Sequence, residues 1–115
     1  MEPSGADKRS QRRVEASIPI EVKGVDALGM EYDDATTALE VSRRGLSFLS
    51  KRDLAVFAAL TIIIPGRGPA RPGAGASDFF TEATVVRTSK VDEEFYRISV
   101  RFIGATLPMY SAEGI

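Results

Sequence analysis

The chain has 115 residues, of which 43% are hydrophobic and 27% are charged, and its net charge is −1. These values are typical of one globular domain, and they exclude a protein whose overall charge would attract nucleic acid or a membrane surface. The chain contains no cysteine and no histidine, which removes disulfides, thiolate chemistry and the commonest general base. No apolar run is long enough to span a membrane and the first residues lack the apolar core of a signal peptide, so a cytoplasmic location is expected.

The first part of the chain divides into three segments. Residues 1–7 are small and polar and are predicted to be disordered, whereas residues 8–13, KRSQRR, form a basic arm. The following SIPIEVKG is predicted to be a strand, because apolar residues alternate with others from Ile18 to Val22. Pro19 in this pattern favours the edge of a sheet or the start of a strand.

Five further strands are predicted along the rest of the chain. ATTALEVS continues a strand that begins after the turn at GVDALG, GLSFLS follows it, and a fourth strand is expected at about 59–64 after an irregular connector. Residues 65–78, PGRGPARPGAGASD, are predicted to form a mobile loop. FFTEATVVRTSK and FYRISVRFIG are predicted to form a hairpin that turns at VDEE, and residues 105–115 a tail with one helical turn at most.

Six strands, short connections and almost no helix predict an all-β fold. An antiparallel sandwich and an antiparallel barrel both satisfy this pattern. A closed or nearly closed barrel hides the strand edges of so small a chain more readily. The sequence therefore predicts a small six-stranded antiparallel β-barrel over residues 8–104, with little or no helix after the last strand.

Two arginines four residues apart, Arg9 and Arg13, lie just ahead of the first strand. The planar guanidinium group binds phosphate oxygens bidentately and stacks on nucleobases, so two of them can converge on one phosphate-bearing ligand. The same RxxxR spacing occurs at Arg67 and Arg71 in the loop, where no site is predicted. The spacing by itself is therefore a weak signal.

A third RxxxR pair, Arg97 and Arg101, lies within the sixth predicted strand. Even spacing places both side chains on one face, and a solvated sheet face is the expected role. Asp33 and Asp34 are adjacent and face opposite ways in a strand, and no carboxylate cluster suggests a metal site. Without histidine or cysteine the chain is not expected to be an enzyme.

The stretch EVSRRG, Glu40 to Gly45, places a serine, two arginines and a glycine where the chain reverses direction between two strands. An arginine pair ahead of the first strand, followed by such a turn, resembles the PilZ family of bacterial cyclic di-GMP receptors, which carries an RxxxR and a (D/N)xSxxG element. RSQRR corresponds to the first element and EVSRRG to the second. TIIIP, EATVVR and YRISVRFIG resemble the last three strands of such a barrel, so the resemblance covers roughly residues 8–104.

The resemblance implies a pocket for cyclic di-GMP at one rim of the barrel, with no metal and no further cofactor. Ser42 would offer its hydroxyl to the ligand, and Gly45 would let the backbone turn without a Cβ against the nucleotide. Glu40 stands where the family has aspartate or asparagine, and its extra methylene moves the carboxylate about 1.5 Å further from the backbone. Arginines 9 and 13 would hold phosphates and guanine faces, and the remaining positive charge nearby comes from Arg12, Arg43 and Arg44.

Three functions remain open at this point. The first is a receptor in which cyclic di-GMP orders the basic arm and changes the surface seen by a protein partner, for control of motility, adhesion or exopolysaccharide. The second, suggested by Glu40, is a degenerate PilZ domain that binds a protein without nucleotide. The third is a general anion or nucleic-acid binder, which KRSQRR supports poorly because no aromatic residue interleaves it. Neither a nucleic-acid polymer nor a membrane is expected as a partner, and the chain is either a minimal domain or a fragment of a larger protein.

Overall fold

The computed structural model describes residues 14–68, 73 and 77–107, and side chains from Ser17 onward. The predicted disordered segment, the basic arm, much of the predicted loop and the end of the tail lie outside these residues. The described part contains six strands and no helix: β1 (Val14–Val25), β2 (Glu31–Ser42), β3 (Gly45–Ser50), β4 (Ala59–Ile64), β5 (Phe79–Lys90) and β6 (Tyr96–Ile103).

The six strands close into one antiparallel barrel in the order β1-β2-β3-β6-β5-β4. This confirms the predicted fold class, and the predicted bounds of the fourth strand are those observed for β4. β1 begins earlier than predicted, because Val14 and Glu15 already pair with the end of β2. The register shifts between Glu15 and Ile18, and this irregularity interrupts the alternation by which the strand was recognised.

The core is built from the inward face of every strand. In β4 the buried residues alternate along the chain, so Leu60, Ile62 and Ile64 point inward while their neighbours face out. Burying each such side chain contributes about 1.5–3 kcal/mol. Two residues outside the strands, Leu54 in the connector and Leu107 after β6, are also buried and add to the same core.

β1 is incompletely paired on one of its two sides. It pairs with β2 along most of its length but with β4 only over Glu21–Gly24, among the residues that the structure describes. Pro19 lies before that segment, opposite Thr37 of β2, and has a strand neighbour on one side only. The prediction of a local sheet edge at Pro19 is therefore confirmed, since proline cannot donate a ladder hydrogen bond.

β2 and β3 separate toward the end of the barrel that contains the β1–β2 turn. Their pairing extends from Ser42 back to Ala38, and beyond it a cavity of about 570 Å³ lies between them. Arg52, just after β3, donates to Asp34 of β2 at 2.6 and 3.0 Å, and its guanidinium lies 4.4 Å from the ring centre of Tyr32. This bidentate pair stacked on a ring holds the separated strands together.

Two carboxyl groups meet on the outer face of the β1–β2 ladder. A side-chain hydrogen bond with Asp33, and then desolvation, raise the pKa of Glu21 above its ordinary value of 4.5. The folded state therefore holds this proton more tightly than the unfolded state does. The corresponding stabilisation is present at low pH and is lost as the pH rises through the folded-state pKa.

We expect Glu21→Gln to raise the melting temperature at pH 7, where the wild-type carboxylates repel each other. At a pH below 4.5 the two proteins should melt together, since Glu21 is then protonated in both states. Thermal unfolding of both proteins from about pH 3.5, where most carboxyl groups are protonated, to about pH 7 measures the difference in melting temperature. Glu82→Gln, at an exposed position of β5, is the control. A Glu21→Gln effect that is constant with pH would contradict the raised pKa of Glu21.

Candidate nucleotide-binding site

Ser42 and Gly45 face each other at the end of the β2–β3 ladder, and Arg43 and Arg44 form the two-residue turn between them. The Ser42 hydroxyl accepts a hydrogen bond from the Arg44 backbone N–H and donates one to the Gly45 carbonyl, both at 3.3 Å. Serine is suited to this position because its short side chain bonds to nearby backbone. The hydroxyl that was predicted to meet a ligand thus also closes the turn, and its ligand contact stays a prediction.

Gly45 is required by a close approach between strands. Its φ is not positive, and neither is that of Ser42, Arg43 or Arg44, so the turn does not demand glycine for its backbone conformation. A Cβ added at Gly45 would overlap the backbone carbonyl oxygen of Val100 on β6. The barrel itself therefore excludes a side chain at Gly45, and the predicted role of this glycine beside the nucleotide stays a prediction.

The turn is held by hydrogen bonds from the last part of β6 and from the segment just after it. The N–H of Phe102 donates to the carbonyl of Arg44 at 2.7 Å, and the N–H of Leu107 donates to the carbonyl of Arg43 at 2.8 Å. Because Leu107 is also buried, the segment after β6 packs against the turn. The turn therefore presents its residues on a rigid support.

A pocket of about 220 Å³ opens on the outer face of β2, β3 and β6 beside this turn. Its lining includes Ser47 and Ser99, which are paired across β3 and β6. These small side chains and Gly45 leave room above the sheet. Four of the residues predicted to bind ligand line the same pocket: Glu40, Ser42, Arg44 and Gly45.

Glu40 is engaged by an arginine of the barrel. Its Oε1 lies 3.2 Å from Nη2 of Arg97, and the same nitrogen lies 3.3 Å from Oγ of Ser47. Arg97 reaches Glu40 from β6 across β3, because β3 lies between β2 and β6 in the barrel. The sequence had led us to expect Arg97 only on a solvated sheet face.

β1 begins at the rim of the barrel that carries the pocket. Val14 pairs with Val41, next to Ser42, so β1 begins where β2 ends. Arg9, Arg12 and Arg13 lie outside the described residues. Arg9 precedes Val14 by five residues in the sequence, and an extended segment of that length spans at most about 18 Å.

Sequence reasoning missed the contribution of β6 to this pocket. Arg101 lines the pocket and lies opposite Gly45 in the β3–β6 register. The signal for it was present in YRISVR, where Arg97, Ser99 and Arg101 share one strand face. The sequence does not show which strand lies beside Gly45, because β3 and β6 are far apart in the chain.

Within the part of the chain that the structure describes, no group of three acidic side chains is placed to hold a metal ion. The described residues also include no helix of the length and apolar character needed to cross a membrane. The charged side chains at the pocket are Arg44, Arg101 and the Glu40–Arg97 pair. The described part of the pocket is therefore locally positive although the whole chain carries −1.

The barrel has the fold of PilZ domains, as the sequence predicted. It is similar to MotI/DgrA, the inhibitor of motility of Bacillus subtilis, with a TM-score of 0.64 and 16% identity over 99% of this chain and 52% of that one. It is similar to the PilZ domain of YcgR from Escherichia coli with c-di-GMP, with a TM-score of 0.56 and 18% identity over 85% and 79% of the two chains.

A third similar structure is the complex of K. pneumoniae MrkH with c-di-GMP, with a TM-score of 0.57 and 16% identity over 83% of this chain and 44% of that one. The chain thus spans about half the length of the MotI/DgrA and MrkH chains that it matches. No protein-family model matches the sequence, and no curated protein matches it.

Proposed function

We propose that this chain is a cyclic di-GMP-binding receptor domain that acts in the bacterial cytoplasm by binding and not by catalysis. The observation that carries the proposal is the start of β1 beside the end of β2, at the rim where the pocket lined by Glu40, Ser42 and Gly45 opens. Two of the similar structures contain c-di-GMP, and both share this fold.

Binding would combine contacts from the arm with contacts from the barrel. Arg9 and Arg13 supply guanidinium groups that grip phosphate oxygens and stack on guanine rings. The barrel supplies a pocket with small side chains at Ser47 and Ser99 and the positive charge of Arg44. A ligand with two negative charges is favoured there by the local charge.

The output of binding is a change in the surface offered to a protein partner. A ligand held by both the arm and the rim fixes residues 8–13 against the barrel, and such ordering favours one conformation of the arm over others. A partner that recognises the fixed arm then binds in response to the second messenger. Control of motility, adhesion or exopolysaccharide production is the proposed cellular role.

A two-dimensional NMR titration of the whole chain with cyclic di-GMP tests the receptor function. We expect the amide signals of Ser42–Gly45 and of Ser99–Arg101 to shift, together with those of residues 8–13. Calorimetry under the same conditions measures the affinity. The absence of both heat and shifts at about 1 mM ligand, which corresponds to less than about 4 kcal/mol of binding free energy, would end the proposal.

A nucleotide-independent interaction module is the second candidate, and the Glu40–Arg97 ion pair favours it. Glu40 is already bound at 3.2 Å by Arg97, so part of the predicted site is satisfied by the protein itself. Under this function one partner is retained by the chain to the same extent with and without cyclic di-GMP. Retention that depends on the nucleotide would instead favour the receptor.

A further inference from the structure

Arg101 is an arginine on the pocket wall without an intramolecular partner in the described part of the chain. Its guanidinium forms no hydrogen bond or ion pair with the residues that the structure describes, and it lies on the exposed face of β6. Gly45 stands opposite it on β3, so no side chain from that position fills the space between Arg101 and Ser42. An uncommitted guanidinium beside an open groove is available to an anion.

Arg97 lies on the same face of β6 as Arg101, but unlike Arg101 it has partners within the barrel. Its Nη2 contacts both Glu40, at 3.2 Å, and Ser47, at 3.3 Å. The carboxylate of Glu40 therefore compensates the charge of Arg97, and a second anion gains less from approaching it. The two arginines of one RxxxR pair thus have unequal roles.

We propose that Arg101 is the anion-binding residue contributed by β6, and that Glu40 limits anion affinity by neutralising Arg97. This inference rests on the proposed function, which supplies the ligand, a phosphate-bearing dinucleotide. It adds a binding residue on β6 that belongs to neither the RxxxR nor the EVSRRG element. In the bound state the Arg101 guanidinium donates to a phosphate oxygen above Gly45. Removal of the Glu40 charge leaves Arg97 free to attract the same ligand.

Calorimetry with cyclic di-GMP on the whole chain tests both parts. Arg101→Gln should weaken binding about 10- to 100-fold, the worth of one charge-assisted contact. Lys90→Gln is the control of equal charge change, since Lys90 is exposed at the far end of β5 and does not line the pocket. We expect less than about a threefold change for this control, as for other solvated charges. Glu40→Gln should strengthen binding by about threefold or more, through the loss of a negative charge near the ligand.

The outcomes separate this inference from the proposed function. If the wild type binds and Arg101→Gln binds equally well, the role of Arg101 is wrong while the receptor function stands. If Glu40→Gln binds more weakly, Glu40 contacts the ligand directly and its inhibitory role is wrong.

If the wild type does not bind cyclic di-GMP at all, the proposed function fails, and Arg101 is tested with inorganic pyrophosphate. The side-chain Nε–Hε signal of Arg101 should then shift more than that of Arg43. Equal shifts of the two signals, or none, would overturn the inference.

Discussion

Replacing Arg9 and Arg13 together by alanine is expected to abolish binding of cyclic di-GMP. Each guanidinium contributes charge-assisted hydrogen bonds worth about 1.5–3 kcal/mol, so the double variant should lose at least about 100-fold in affinity. Calorimetry measures this loss directly. The fold should be unaffected, because both residues precede β1, which begins at Val14.

The chain supplies its own matched control for this experiment. Lys51 and Lys90 are exposed at the opposite end of the barrel, where β3 and β5 end beside Tyr96, so their double alanine variant changes the net charge equally. We expect the control to bind about as well as the wild type, since distant exposed charges are screened by salt. If the two double variants lose affinity to the same extent, the effect is one of net charge and the arm is not the site.

Gly45→Ala is expected to cause the largest loss of stability among single substitutions near the pocket. The new methyl group would overlap the carbonyl oxygen of Val100, so β3 and β6 must move apart where they form the ladder behind the pocket. Overpacking against backbone costs about 2–4 kcal/mol. Urea unfolding followed by circular dichroism measures the change in the free energy of unfolding.

Gly29→Ala separates this steric effect from the general cost of replacing glycine. Gly29 has a φ of 84°, but a Cβ added there meets nothing within 4 Å. The cost at this site is therefore limited to a left-handed backbone conformation, about 1–2 kcal/mol. If Gly45→Ala proved no more destabilising than Gly29→Ala, the close contact between β3 and β6 would be refuted.

Local patterns in the sequence were sufficient for most strands. The strand at 59–64 could be predicted because one of its faces is buried, which forces apolar residues into alternate positions. In GLSFLS the apolar Leu46 and Phe48 alternate in the same way, although Ser47 between them is buried too. The hairpin at VDEE was predicted in the same way and is formed by β5 and β6. β1 was the exception at its N-terminal end, where the register shift between Glu15 and Ile18 removes the alternation.

The candidate site, too, could be predicted only where its residues are neighbours in the chain. Ser42, Arg44 and Gly45 could be predicted together because they are neighbours in one turn, and the structure places them with Glu40 at one pocket. The partner of Glu40 could not be predicted from spacing. It depends on the order β2-β3-β6, which brings Arg97 from a strand more than fifty residues later in the chain.

Local sequence was enough to predict the six strands, the turn at Glu40–Gly45 and the basic segment ahead of β1, because each depends on residues close together in the chain. Tertiary structure alone decided that Gly45 is needed against Val100, that Arg97 is neutralised and that Arg101 faces open space. These three facts depend on which strands become neighbours when the barrel closes. That choice is made by the burial of the whole core, so no short stretch of the chain encodes it.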